Sequence, residues 1–312
     1  MEENRMPCQI HIVLATYNGE RYLREQMESI LANTWDDVSI EICDDGSDDG
    51  TLEIAEDYAS VYGHIRVHKN EKNLGYTKNF LEGIKRSESP YVMLCDQDDI
   101  WNPDKIAHTY EKMKELEAEY GTDRPLMVYT DAVNFDSETG KEQGSFHENS
   151  HLNVSATDAA HLLMENKCIG CTVMVNAAVV PYLETVPDEV RVHDWWLALI
   201  CSFFGKISYL NETTLQYRQH SGNMIGGSGF IDYMKNRLSN LGKQKEALRQ
   251  TYAQGAAFYA LFGPQMGQRE RRLAEAFARM SEIGGFRRRF YMLRYRFCKS
   301  GWVRNLALFL MI

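Results

Sequence analysis

Three carboxylates fall within four residues at Asp96, Asp98 and Asp99, directly after the apolar run Tyr91-Val92-Met93-Leu94. Like charges this close raise one another's pKa or require a counter-charge. A hard divalent cation, Mg2+ or Mn2+, meets that need because it favours carboxylate oxygens and bridges to phosphates. A solvated acidic turn ahead of a helix accounts for the same residues, since Asn102-Pro103-Asp104 has the form of a helix start. A second acidic cluster, Asp44-Asp45-Gly46-Ser47-Asp48-Asp49-Gly50-Thr51, likewise reads as an ordinary Asp/Gly turn with a helix cap.

The elements around these clusters separate the two readings. Ile10-His11-Ile12-Val13-Leu14-Ala15 is a continuous apolar, β-branched run, as in a strand covered on both faces. Thr16-Tyr17-Asn18-Gly19 is a turn, and Tyr22, Leu23, Met27, Ile30 and Leu31 then recur at helical spacing. Strands follow at 38–43, 65–68 and 91–95, with helices marked by Leu52, Ile54, Ala55 and Tyr58, and by Phe80, Leu81 and Ile84. This alternation predicts a parallel sheet with helices on its faces. Ligands of such sheets bind beyond the carboxyl ends of the strands, so 16–18, 44–45 and 96–98 should face one crevice. Neither G-x-G-x-x-G after the first strand nor G-x-x-x-x-G-K-[ST] occurs, which excludes the dinucleotide and P-loop modes.

Ala15-Thr16-Tyr17-Asn18-Gly19, the 44–51 cluster, Asn73-Leu74-Gly75 and Asp96-Gln97-Asp98-Asp99 together resemble the ordered motifs of family 2 glycosyltransferases. The resemblance spans at least Gln9 to about Gly227. It implies an α/β chain of the GT-A fold, the Rossmann-like mixed sheet flanked by helices of nucleotide-diphospho-sugar transferases. It also implies an inverting, metal-dependent enzyme. The form Asp-Gln-Asp-Asp-Ile-Trp further resembles rhamnosyltransferases of cell-wall rhamnose polysaccharide and O-antigen synthesis. Carried over position by position, the resemblance assigns donor contacts to Thr16, Tyr17, Asn18, Asp45, Lys78, Asp96 and Gln97. Asp45 and Thr16 fall at the nucleobase, where a carboxylate accepts the imide N–H shared by uracil and thymine. The metal, Mn2+ or Mg2+, falls to Asp98 and Asp96.

Farther along, Ile106, Tyr110, Met113, Leu116 and Tyr120 predict a helix, and 126–130 a strand. The region around Gly140 and Gly144 reads as a loop or hairpin over the site, Ala159 to Leu163 as a helix, and 169–175 as a strand. Gly170-Cys171-Thr172 resembles the family segment that approaches the donor sugar. His193-Asp194-Trp195-Trp196 opens an apolar helix. An Asp there is ordinarily a cap; the resemblance makes Asp194 the general base that takes the acceptor hydroxyl proton. Trp195 and Trp196 are suited to an acceptor subsite or to core packing. Gln216 to Asn223 resembles the closing loop of the family, which places His220 in the metal shell. Arg218 suits the diphosphate, because a guanidinium matches phosphate geometry.

Gly226-Gly227-Ser228-Gly229 is the clearest boundary, giving a catalytic domain over 1–228 and a basic helical region over 229–312. The net charge of −10 over 312 residues hides a split. Residues 235–312 hold 16 Lys/Arg against 4 Asp/Glu, and the preceding residues hold 18 against 40. From Phe286 onward, Arg287, Arg288, Arg289, Arg294, Arg296, Lys299 and Arg304 interleave with large apolar residues and no acid. That pattern fits a helix lying in an anionic membrane interface. The alternative is a helix packed on the catalytic domain or on another subunit of a homo-oligomer. No recognition motif supports nucleic-acid binding. Residues 1–7 are polar rather than signal-like, and no run approaches the roughly 20 apolar residues of a membrane span. Seven cysteines, mostly in apolar runs, fit a reduced cytosolic protein. Cys168 and Cys171 have C-x-x-C spacing without a second pair and read as core residues. The expected location is cytoplasmic, peripheral on the inner face of the cell membrane.

The expectation from sequence is therefore a glycosyltransferase moving L-rhamnose from dTDP-L-rhamnose onto a lipid-linked cell-surface glycan. A UDP-hexose donor is the alternative within the family. Two rivals come from other classes. A Mg2+-dependent phosphotransferase would carry its nucleophilic Asp after the first strand, whereas this cluster follows the fourth. A non-catalytic glycan-binding scaffold has no need to keep Asp98, Asp194 and His220 together.

Overall fold

The computed structural model describes residues 9–219 and 241–312. Four strands, β1 (Ile10–Thr16), β2 (Val38–Asp44), β3 (Ile65–Lys69) and β4 (Tyr91–Asp96), pair in parallel in the order β3-β2-β1-β4. They are joined by α1 (Leu23–Leu31), α2 (Thr51–Val61) and α3 (Tyr76–Arg86). Thr16 pairs with Asp44 and Ala15 with Asp96, so the three strands release their polar ends at one edge. This is the convergence that the alternation of elements predicts.

Beyond β4 the sheet turns mixed. After β5 (Ile100–Trp101), α4 (Lys105–Tyr120) and the long β6 (Leu126–Asp136) come a hairpin strand β7 (Lys141–Ser145) and the short helices α5 (Phe146–Ser150) and α6 (Ala159–Met164). β8 (Met174–Asn176) runs antiparallel to both β4 and β6. α7 (His193–Phe204) leads into β9 (Lys206–Gln219), which is parallel to β6 and antiparallel to β5. The strand expected over 169–175 is shorter: Gly170–Thr172 is a tight turn closed by Thr172 Oγ1 donating to the Ile169 carbonyl, and only Met174–Asn176 pairs.

Side-chain alternation divides the core. Ile10, Ile12 and Leu14 of β1 point to the face covered by α1, α2 and α4, while Val13 points to the face covered by α3 and α7. On that second face lie the C-terminal helices α8 (Leu241–Phe262), α9 (Gln268–Ala278), α10 (Gly285–Tyr295) and α11 (Trp302–Met311). Phe258, Phe262, Phe277, Met292, Phe297 and Leu308 join the same buried cluster as Trp196 and Phe203 of α7. Glu165 is a polar latch at this seam, accepting from Lys167, the Ser300 backbone N–H and Arg304.

The single helix expected after Phe286 is two. Arg296 closes α10 in the left-handed conformation at φ 60°, and Gly301 at φ 78° opens α11. Asn305 clamps the turn between them, accepting from the Lys299 N–H at 2.7 Å and donating to the Lys299 carbonyl at 2.8 Å. Among the described residues no helix is long and apolar enough to cross a membrane.

The helical region thus shares one core with the sheet. Phe297, fully buried against Phe277 with ring centroids 5.0 Å apart, tests this. Phe297→Ala should cost about 3–5 kcal/mol in urea unfolding; a loss under about 1 kcal/mol would mean that the helices do not share that core.

Candidate active site

The acidic edge is held by internal hydrogen bonds before any ligand arrives. Asp44 accepts from the Gly46 and Ser47 N–H groups at 3.2 and 3.1 Å and from Thr16 Oγ1 at 3.2 Å. Gly46, at φ +85°, supplies the backbone turn that allows this. Asp45, 2% exposed, accepts from Asn70 Nδ2, Leu74 N and Gly75 N, each at 2.8 Å. Three of its roughly four lone-pair sites are thereby used, and one is left beside the 70–75 loop. Asn18 accepts from the Asp48 N–H at 2.9 Å and pins the first turn to the acidic loop. The Gln97 amide pairs with the Tyr17 backbone, accepting from its N–H at 2.8 Å and donating to its carbonyl at 3.1 Å. Lys78 lies farther out, in an exposed pair with Asp188 at 2.7 Å.

Asp96, Asp98 and Asp99 leave β4 together. Burial and then mutual repulsion raise Asp96 well above the usual carboxylate range, and Asp194 adds to that repulsion. Asp99 is fully buried and also raised, first by burial and then by the charge of Asp98. Arg218 of β9 fastens this turn: its backbone N–H donates to Asp99 at 3.2 Å, its Nε to the Asp98 carbonyl at 2.7 Å, and its Nη2 to Glu25 at 2.6 Å. Its guanidinium also sits 4.9 Å from the Tyr22 ring centroid. Glu25 was not singled out from sequence, because 193 residues separate it from Arg218.

The donor set fits a divalent cation in its carboxylates. Ligand atoms of Asp96, Asp99 and Cys171 lie within 4.8 Å of one another, and Asp99 Oδ2 is buried with no hydrogen-bond partner. An oxygen in that condition is costly unless a cation or a proton meets it. Cys171 is the soft member: burial holds its thiol protonated, which suits Mg2+ or Mn2+ poorly. The structure thus places Asp99 beside Asp96, where the sequence pointed to Asp98. Asp98 remains in the same turn, and His220 lies outside the described residues.

Asp194 occupies the first turn of α7, 8% exposed. Burial pushes its carboxyl up to about 6, against hydrogen bonds from the Asn166 side chain and the Trp195 and Gly170 backbones. Asn166 had no signal in the sequence, and Gly170 was read there only as part of the segment that approaches the donor sugar; both lie on a segment that α6 and the Glu165 latch carry to the head of α7. His193 stacks on Phe80 at 4.1 Å with both ring nitrogens unpartnered, and burial lowers it to about 3, so it is neutral. Trp195 donates to the Leu162 carbonyl at 2.6 Å and carries Arg191 over its ring at 5.1 Å. Trp196 is fully buried against Phe258 and Phe262. Its place is the core; Trp195, 6% exposed, belongs to the same buried cluster and also borders a cavity with Asn166 and Arg191.

Residues 11–143 match the model of glycosyl transferase family 2. The chain is 27% identical over 228 residues to the dTDP-rhamnosyl transferase RfbG of Shigella flexneri, covering 69% of this chain and 74% of that protein. Mycobacterial relatives at 29% identity are longer, and the chain spans 62% of their length. Its fold is similar to S. aureus TarS 1-349 in complex with UDP-GlcNAc, with TM-score 0.53, 16% identity and coverage of 91% and 83% of the two chains. It is similar also to the mannosyltransferase PcManGT of Pyrobaculum calidifontis in complex with GDP-Man and Mn2+, with TM-score 0.53, 13% identity and coverage of 96% and 87%. These likenesses identify the GT-A architecture.

The Asp194 environment makes a direct prediction. Its carboxyl should titrate near 6 by carbon-detected NMR of the protein alone. Asn166→Ala removes a hydrogen bond that favours the charged form, so the midpoint should rise by about one unit. A midpoint in the ordinary range near 4 in both proteins would mean that burial does not act on this group.

Proposed function

We propose that this chain, whose residues 11–143 match the family 2 glycosyl transferase model, is a glycosyltransferase that moves L-rhamnose from dTDP-L-rhamnose onto a lipid-linked saccharide with inversion at the sugar carbon. The observation that carries this reading is the meeting, at one sheet edge, of the crowded carboxylates of Asp96, Asp98 and Asp99 with a separate buried carboxylate at Asp194. The first group calls for positive charge, and the second is tuned to accept a proton near neutral pH. The similarity to RfbG supports the choice of donor.

Asp45 offers its remaining lone pair to the imide N–H of thymine, and Thr16, Tyr17 and Asn18 shape that subsite through the turn they form. Lys78 borders the donor side. Asp96, Asp98 and Asp99, with His220 as the proposed fourth residue, would hold a divalent cation, which would supply positive charge to offset that of the diphosphate leaving group. Gln97 fixes the turn, and Arg218 keeps the carboxylates in register with β9. Asp194 takes the acceptor hydroxyl proton as that oxygen attacks the sugar carbon, whose bond to the diphosphate breaks on the opposite side. The products are the glycosidic bond, a nucleoside diphosphate and protonated Asp194. The catalytic domain in this proposal is 1–228, and the helical region 229–312 brings the enzyme to its acceptor.

The surface of that region supports peripheral association with an anionic membrane on the cytoplasmic side. Phe286, Phe290 and Leu293 of α10 and Trp302, Leu306 and Leu310 of α11 are at least half exposed. Their spacing of three and four residues makes one apolar stripe on each helix. Arg287, Arg294 and Arg296 stand exposed around them. Each such cation is worth roughly 1 kcal/mol near an anionic surface.

A panel of sugar nucleotides read by nucleoside diphosphate release tests the donor. Release should be greatest with dTDP-L-rhamnose, disappear with EDTA, and be abolished in Asp98→Asn. Preference for a UDP-hexose moves the donor assignment within the family, and equal use of a guanosine donor removes the role of Asp45. Asp194→Asn should keep donor affinity and lose transfer by about a hundred- to ten-thousandfold. In the native enzyme kcat/KM should fall as pH drops through about 6, where Asp194 protonates.

The membrane face has its own test. Phe286→Ser combined with Trp302→Ser and Leu310→Ser should lower co-sedimentation with phosphatidylglycerol vesicles by about tenfold or more, since three buried apolar side chains are worth several kcal/mol. Unchanged sedimentation, or conversion of a dimer into a monomer, would assign the face to something other than lipid.

A further inference from the structure

We propose that a basic cavity between α8, α10 and the end of α11 binds the diphosphate of a prenyl-linked acceptor, which places a lipid-phosphate subsite in the helical region. This deepens the glycosyltransferase reading and rests on it. The cavity measures about 490 Å³ and is lined by Lys245, Leu248, Arg249 and Tyr252 of α8, Arg288 of α10 and Met311 of α11. No Asp or Glu side chain lines it, and Ser281 and Ile312 complete its wall. Glu246 approaches Arg249 only at 3.6 Å, with both side chains largely exposed, and such a pair contributes little.

Two donors in its wall are unsatisfied. Tyr252 Oη and Arg288 Nε are shielded from solvent and have no hydrogen-bond partner, and Tyr252 is 3% exposed. Burial pushes the Tyr252 phenol up to about 12, so it stays a neutral O–H donor. A buried donor without an acceptor is unfavourable, and a phosphate oxygen accepts without needing to donate. The apolar side chains of Leu248 and Met311 add a surface that free phosphate would not use and a hydrocarbon chain would.

The position fits an acceptor. Leu248 and Met311 also line a second cavity of about 220 Å³, whose other wall includes Asn166, Arg191 and Trp195. Asn166 is the residue that hydrogen-bonds Asp194. The two cavities thus share the wall residues Leu248 and Met311, and the second is bordered by the residue that hydrogen-bonds the proposed base.

Calorimetric titration of the full-length protein, in EDTA with saturating dTDP to occupy the donor crevice, tests this with farnesyl diphosphate as probe. Farnesyl diphosphate should bind, and Arg288→Gln and Tyr252→Phe should each weaken it about tenfold while leaving the melting temperature unchanged. Pyrophosphate should bind at least about tenfold more weakly, because it lacks the apolar part, and farnesol should not bind. Affinity unchanged in both variants overturns the proposal. Equally tight binding of dihexanoyl phosphatidylglycerol, lost in the same variants, overturns the acceptor assignment and gives the subsite to a membrane phospholipid. Donor hydrolysis by the native enzyme is read separately. If it is absent, the glycosyltransferase reading fails; if it is present while binding ignores both substitutions, only the lipid-phosphate subsite fails.

Discussion

Repulsion among Asp96, Asp98 and Asp99 is the constraint around which this fold closes. A strand end that releases three carboxylates would fly apart or protonate unless something held it. Arg218 does so from the far side of the sheet, with its backbone on Asp99, its Nε on the Asp98 carbonyl and its guanidinium shared with Glu25 and Tyr22. β9 can supply Arg218 there only because it pairs with β5 immediately after the acidic turn and with β6 along most of its length. The mixed half of the sheet is thus a device for bringing one cation and its backbone to the end of the parallel half.

Much of this was legible in the sequence. The apolar runs that became β1 to β4 were continuous and bounded by turn residues, and their parallel pairing put Thr16, Asp44 and Asp96 on one edge as expected. Asp194 stood out only through the family resemblance, because an Asp ahead of an apolar helix is ordinarily a cap. What stayed hidden were partners fixed by tertiary contact. Glu25 meets Arg218 across 193 residues, and Asn166 reaches Asp194 from a segment with no periodic pattern. Trp196 was ambiguous because an aromatic residue one position from a polar one can face either way. Packing against Phe258 and Phe262, residues of a distant helix, decided it.

The tail illustrates how one composition can serve two surfaces. Its apolar residues read as one amphipathic helix, yet they separate into a buried set, Met292, Phe297 and Leu308, and an exposed set that includes Phe286, Trp302 and Leu310. Both alternatives weighed from the sequence have a physical counterpart: one face packs on the catalytic layer, and the other faces solvent with its arginines. The left-handed Arg296 and Gly301 make this division possible, because they fold the segment into two short helices rather than one rod.

The Glu165 latch has a consequence for how such enzymes can diverge. Lys167, Ser300 and Arg304 all converge on one carboxylate, and the neighbouring Asn166 touches Asp194. A helical tail exchanged between relatives would arrive without its matching socket and would leave Glu165 and Lys167 charged inside a seam that excludes water. Tail and socket must therefore be inherited together, as lock and key cut from separate ends of the chain. Recombination that respects only the glycine-rich boundary would separate them, so this region should vary among relatives by point substitution more readily than by exchange as a block.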